Sequence, residues 1–224
     1  MDWVAIGLSL RLATLTSIIL LLLGLPLAHW ITFSRWRWKF LVEAVVALPL
    51  VLPPTVLGFY LLVAMGPHSP LGRLYFQWTG SRLPFSFEGL LIASVLYSLP
   101  FAVQPFAAAF AAVDPVLIEA SWCQGASRIK TFWRLIIPLS MPGVLAGVVL
   151  SFAHTIGEFG VVLMVGGNLP GITRTISLAI YDDVQALNFE AAGQTALLLL
   201  LFSFVVLTVT YALQRRSGLL WRVR

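Results

Sequence analysis

The chain has 224 residues, 59% of them hydrophobic and only 10% charged, against roughly 45–50% and about 25% in soluble globular domains. So little charge cannot coat a soluble globule of this size, so composition excludes a soluble enzyme or binding module and points to an all-α polytopic membrane protein. The formal net charge of +5 comes from Lys and Arg at the ends of apolar blocks, which is loop bias rather than a nucleic-acid footprint, and the single cysteine, Cys123, excludes an internal disulfide and a multi-cysteine metal site.

The first apolar block, about Leu8 to Ile31, exceeds the roughly 20 residues a spanning helix needs. It is too long for a cleaved signal peptide and lacks the basic start and Ala-x-Ala site of one, and Pro26 is expected to kink it. Ser34 to Lys39 follows as a basic and aromatic connector, which belongs on the cytoplasmic side and leaves the amino terminus outside. The second block, about Phe40 to Met65, contains Pro49, Pro53 and Pro54. Three prolines remove backbone donors, so the span is read either as a broken helix at a pathway or gate, or as a bent structural helix. Glu43 lies near its start, at the interface. Gly66 to Phe87 reads as an outer loop, with no helical period beyond a few residues around Leu74 to Trp78. The third span, about Gly89 to Ala112, carries Ser98, Pro100, Gln104 and Pro105 and ends alanine-rich, which suits close helix packing. Gln104 is either interhelical glue or a pathway hydrogen bonder.

A polar, basic island runs from Asp114 to Pro138. Asp114 can cap a helix, Pro115 suits its first position, Gly125 can take the left-handed conformation that stops it, and Ser127 can cap a second short helix. The expected result is helix, glycine turn, helix, outside the bilayer. A fourth span runs from about Leu139 to Gly157, with Gly143 and Gly147 at small-xxx-small spacing, and ends in Gly157-Glu158-Phe159-Gly160. Ser151 and His154 share a face, but no acidic orienting residue stands beside them, so His154 is read as a hydrogen-bonded structural residue. Val161 to Gly193 is too polar for a clean span and is read as a short amphipathic outer segment, with a re-entrant piece from Ile172 to Leu187 as the alternative. The last block, Thr195 to Leu213, ends at Gln214-Arg215-Arg216.

Counting cations tests the five-span, amino-terminus-out arrangement. Ten fall inside (Arg35, Arg37, Lys39, Arg128, Lys130, Arg134, Arg215, Arg216, Arg222, Arg224) and four outside (Arg11, Arg73, Arg82, Arg174), as the positive-inside rule requires. A sixth span near Val161 would move the carboxy-terminal arginines outside. No G-x-x-x-x-G-K-[ST] loop, H-E-x-x-H motif, nucleophile elbow or metal-ligand cluster is present, so the chain brings neither its own ATP site nor a cofactor.

The island resembles the cytoplasmic coupling motif of ATP-binding-cassette (ABC) importer permeases: Glu-Ala-Ala, three residues, Gly, nine residues, Ile, one residue, Leu-Pro. Glu119, Ala120, Gly125 and Pro138 match in register, while Ser121, Leu135 and Ile137 depart conservatively. Leu48 to Gly58, Gly157 to Gly160 and Gly167 to Thr175 with Ala179-Ile180-Tyr181 resemble molybdate permeases, and sulfate and thiosulfate permeases share a similar Gly-Glu-Phe-Gly and Gly-Asn pattern. The resemblance implies one permease domain over residues 1–224 of a multi-pass protein in the bacterial inner membrane, with loop 114–138 docked on a cytoplasmic ATPase dimer that binds the ATP. It also implies a periplasmic molybdate-binding protein, a second copy of the chain, a lipid surround and no nucleic acid. Pro53, Pro54, Thr55, Ser98, Gln104, Gly157 and Glu158 are its candidate pathway or gate residues. A secondary transporter would need an acid within a span, whereas Glu43 and Glu158 read as span-end residues. An intramembrane hydrolase would need more than Ser151 and His154.

Overall fold

The computed structural model describes residues 2–221, with side chains to residue 212, and every element among them is helical. Arg222 and Arg224 lie outside the described residues, as do the side chains of Arg215 and Arg216.

Helix α1 (Trp3–Phe33) starts where Asp2 accepts the Ala5 N–H at 3.0 Å, and its 31 residues are longer than the hydrocarbon core is thick. Helices α2 (Lys39–Val51) and α3 (Pro54–Met65) form the proline-rich block, bent by 115° at Leu52-Pro53. Pro54 lacks an N–H, and each proline pushes the residue before it out of helical space, so Leu52 and Pro53 are extended with ψ of 136° and 134°. Helix α5 (Phe87–Ala111) and the continuous stretch from Arg128 to Gly157 are the next long apolar helices, and α11 (Phe189–Trp221) is the last.

Two groups of buried side chains fix the directions. At one end, Ile31 of α1, Val46 of α2, Phe110 of α5, and Ile136 and Ile137 at the start of the fourth long helix pack together. Leu12 of α1 and Leu90 of α5 meet at the far end, and Met65 of α3 packs there with Leu83 and Ala93. α1 and α5 therefore run parallel, and residues 39–65 travel back between the two ends. Among the described residues, four helices are long and apolar enough to cross alone, and the bent pair, taken as one span, brings the number to five.

Three expectations are corrected. Gly66 to Phe87 contains a ten-residue helix, α4 (Pro70–Thr79), capped by Ser69 on the Gly72 N–H at 2.8 Å and stopped by left-handed Gly80. Gly160–Gly166 is a short helix, α9, whose Val161, Val162 and Val165 are fully buried, so this stretch is core and not an amphipathic outer surface. α10 (Ile176–Gln185) follows it and packs Leu178 against Leu12 and Leu90. Finally, the second half of the island is no separate helix. α7 (Arg128–Thr131) passes through a π-helical turn at Phe132–Ile136 straight into α8 (Ile137–Gly157).

Candidate functional site

The island between α5 and α8 assembles from local signals. Asp114 Oδ1 accepts the Val116 N–H at 2.9 Å, Pro115 opens α6 (Pro115–Cys123), and Gly125 turns the chain at φ 80°. Ser127 then caps α7 through the Lys130 N–H at 3.3 Å, and the Ser121 and Thr131 hydroxyls hydrogen-bond at 2.7 Å, holding α6 against α7. Ile118 is 6% exposed and anchors α6 in the core around Phe110, while Glu119, Ala120 and Pro138 are exposed and Ser121 is half-buried. Trp122 and Ile129 stand 47% and 73% exposed among Arg128, Lys130 and Arg134. Large apolar side chains on a charged surface beyond the span ends suit burial against another protein.

Beneath the loop, His29 of α1 packs at 4.8 Å on Phe132 of the π turn and at 4.9 Å on Phe33, so the start of the fourth long helix is wedged by aromatic rings.

The second constellation lies where α8 ends. Glu158 and Phe159 leave helical geometry between α8 and α9, and a Cβ on Gly160 would stand 2.7 Å from the Pro54 Cβ at the start of α3. Between these ends and α5 is a recess of about 580 Å³ lined by Pro54, Thr55, Tyr97, Ala153, His154, Gly157, Glu158, Phe159, Gly160 and Leu163. Four sequence candidates thus meet: Pro54, Thr55, Gly157 and Glu158. Ser98 stands behind them, its hydroxyl 3.0 Å from His154 Nδ1 and 2.9 Å from Thr155 Oγ1. Pro53 is exposed at the hinge, and Gln104 is exposed on α5 and is not among the lining residues.

His154 is stacked on Phe101 at 3.9 Å and lies 4.8 Å from Tyr97, whereas the Ser151 hydroxyl donates to the Val148 carbonyl at 2.9 Å. The Ser151–His154 pair is therefore not a nucleophile with its base. Glu158 is 3% exposed, and neither carboxyl oxygen has a hydrogen-bond partner among the described residues. Among the described residues, no Lys or Arg lines the recess. Two of the far-end cations are engaged with other groups: Arg174 pairs with Asp182 at 2.9 Å and donates to Asn168 at 3.0 Å, and Arg11 lies over the Phe87 ring at 4.4 Å. Sequence reasoning missed Tyr97 and Phe101, because ring packing across helices leaves no local signature.

Residues 20–218 match the family described as binding-protein-dependent transport system inner membrane component. The molybdenum transport system permease protein ModB of Azotobacter vinelandii is 50% identical over 97% of each chain, and that of Escherichia coli (strain K12) is 34% identical over 96% of this chain and 95% of its own. A probable sulfate transport system permease protein of Zygnema circumcarinatum is 32% identical, over 92% of this chain and 72% of its own length. Among solved structures, the inward-facing MetNI methionine ABC transporter superposes with a TM-score of 0.74 at 16% identity, over 95% of this chain and 94% of that one, a likeness of fold.

Proposed function

The chain belongs to the family of binding-protein-dependent transport system inner membrane components, and on that premise we propose that it is the permease subunit of an ATP-driven molybdate importer. The observation that carries the coupling half is the loop 114–138, anchored by Ile118 and presenting Glu119, Trp122 and Ile129 outward on a rigid glycine turn. With no phosphate-binding loop in the sequence, the ATP belongs to a cytoplasmic ATPase dimer docked there. Loop 114–138 then faces the cytoplasm, the amino terminus faces outside, and the far end receives a periplasmic molybdate-binding protein. A second copy of the chain closes the side of the pathway on which Pro53, Pro54 and Thr55 stand exposed.

The recess suits a tetrahedral dianion in having hydroxyl and imidazole donors, and no cation to hold the ion too tightly for release. That physical fit serves sulfate equally well. Molybdate is favoured by the 50% identity to a molybdenum permease along 97% of both chains. A deletion strain is expected to lose molybdoenzyme activity and to regain it with excess external molybdate. Sulfur auxotrophy with normal molybdoenzymes would instead assign the chain to sulfate.

A further inference from the structure

Glu158 is buried at the rim of a recess that an oxyanion has to pass, and its carboxyl oxygens have no partner. Nothing among the described residues neutralises it. Tyr97 from α5 and His154 from α8 are the other titratable groups lining the recess, and α3 and α9 supply only Pro54, Thr55, Gly160 and Leu163. From α10, Tyr181 packs on the neighbouring Phe159 ring at 5.1 Å, and Asp182 is taken up by Arg174 and Asn168. The Ser94 hydroxyl on α5 stands beside the carboxyl but outside hydrogen-bond geometry, and is itself buried without a partner among the described residues.

An ionised carboxylate buried without a cation or donor is among the costliest groups a protein can hold, whereas a neutral acid lacks only one hydrogen bond. A carboxylate would also repel a dianion at contact distance, and the repulsion doubles with the second charge. A neutral carboxylic acid reverses both effects, because its O–H is a donor and an oxyanion offers only acceptors. We propose that Glu158 works as a neutral carboxylic acid that hydrogen-bonds the oxyanion in transit, alongside the Thr55 and Tyr97 hydroxyls. Its unsatisfied state is then that of a site whose partner comes and goes. This inference rests on the permease reading.

The test uses the full complex with its ATPase and binding protein in proteoliposomes. Glu158→Gln keeps a donor and cannot ionise, so it is expected to transport molybdate near the wild-type rate at neutral pH. Glu158→Leu removes the donor and is expected to lose about tenfold, the equivalent of one hydrogen bond. Rising pH removes the proton from the wild type alone, so the ratio of Gln-variant to wild-type uptake is expected to climb with pH. A Gln variant that assembles but does not transport, or a flat ratio, would overturn the proposal. A readout independent of transport and substrate comes from infrared spectroscopy of wild-type permease carrying carboxyl-labelled glutamate, assembled with unlabelled ATPase. Glu43, Glu88, Glu119 and Glu190 are exposed, so a labelled carbonyl stretch of protonated acid at neutral pH reports Glu158. Absence of that band would overturn the proposal even if uptake is normal. Failure of the wild type to move any oxyanion while the band is present would remove the permease reading and leave the neutral acid standing.

Discussion

Gly125 and Gly147 are constrained for opposite reasons. Gly125 sits at φ 80° with no atom within 4 Å of where a Cβ would point, so a side chain there is penalised by backbone conformation alone. Gly125→Val is expected to cost about 1–2 kcal/mol locally and to displace α6 against α7, giving a complex that hydrolyses ATP without molybdate uptake. Gly125→Asn, which tolerates the left-handed region, is expected to retain most uptake. Normal uptake by the valine variant at normal expression would show that the turn does not set coupling. Gly147, by contrast, is helical, and a Cβ there would stand 2.5 Å from the Phe106 ring. Gly147→Val should therefore separate α5 from α8 and lower the melting temperature in detergent by more than Gly125→Val does. Both glycines were legible in the sequence, one from the caps around it and one from its spacing with Gly143. Gly58, which meets Met164, and Gly160, which meets Pro54, were not, because their partners lie about a hundred residues away and no local pattern announces a close approach.

That pair of glycines lets α3 lie directly on α9, beside the recess and just beyond the break at Leu52-Pro53. Helices that interlock through backbone and small side chains move together more readily than they separate. Gly160→Val would drive a side chain into Pro54, lever α3 off α9 and distort the recess between them. The expected outcome is a complex of normal abundance with docked ATPase and sharply reduced molybdate uptake in proteoliposomes. Undiminished uptake would mean that the α3–α9 contact does not shape the pathway. The prolines disclosed a break at this place, but no local pattern announces its angle or the helix packed against it. α9 escaped because seven residues are too few to show a period, and α4 because its cap, Ser69-Pro70, lies within a run of glycine and proline that reads as loop.

Across the whole molecule, the apolar blocks were legible because the bilayer imposes length and hydropathy together, and among the described residues four helices, or five with the bent pair taken as one span, are long and apolar enough to cross. The cation count adds a direction to that geometry. If the end bearing loop 114–138 faces the cytoplasm, exposed Cys123 at the end of α6 is reachable only from inside. A membrane-impermeant thiol reagent is expected to label it in inverted vesicles and not in intact spheroplasts. Labelling of intact spheroplasts would reverse the orientation. The recess was legible only as scattered residue types, since Thr55, Tyr97, His154 and Glu158 come from three crossings and the turn after the fourth.

The π turn at Phe132–Ile136 carries a genetic consequence. Such a turn houses one residue more than regular α-helix while leaving the helix on either side in phase, so it is the form an inserted codon takes when a helix absorbs it. Removing the codon for Trp133, whose side chain is 59% exposed, is therefore expected to leave a regular helix with Arg128 and Lys130 still facing as they do. Removing Leu145, 45% exposed in α8, offers no slack to absorb the loss and turns everything beyond it by about 100°. Paired single-codon deletions, scored by assembly with the ATPase, should separate the two: the chain tolerates a missing residue where it already holds a spare one.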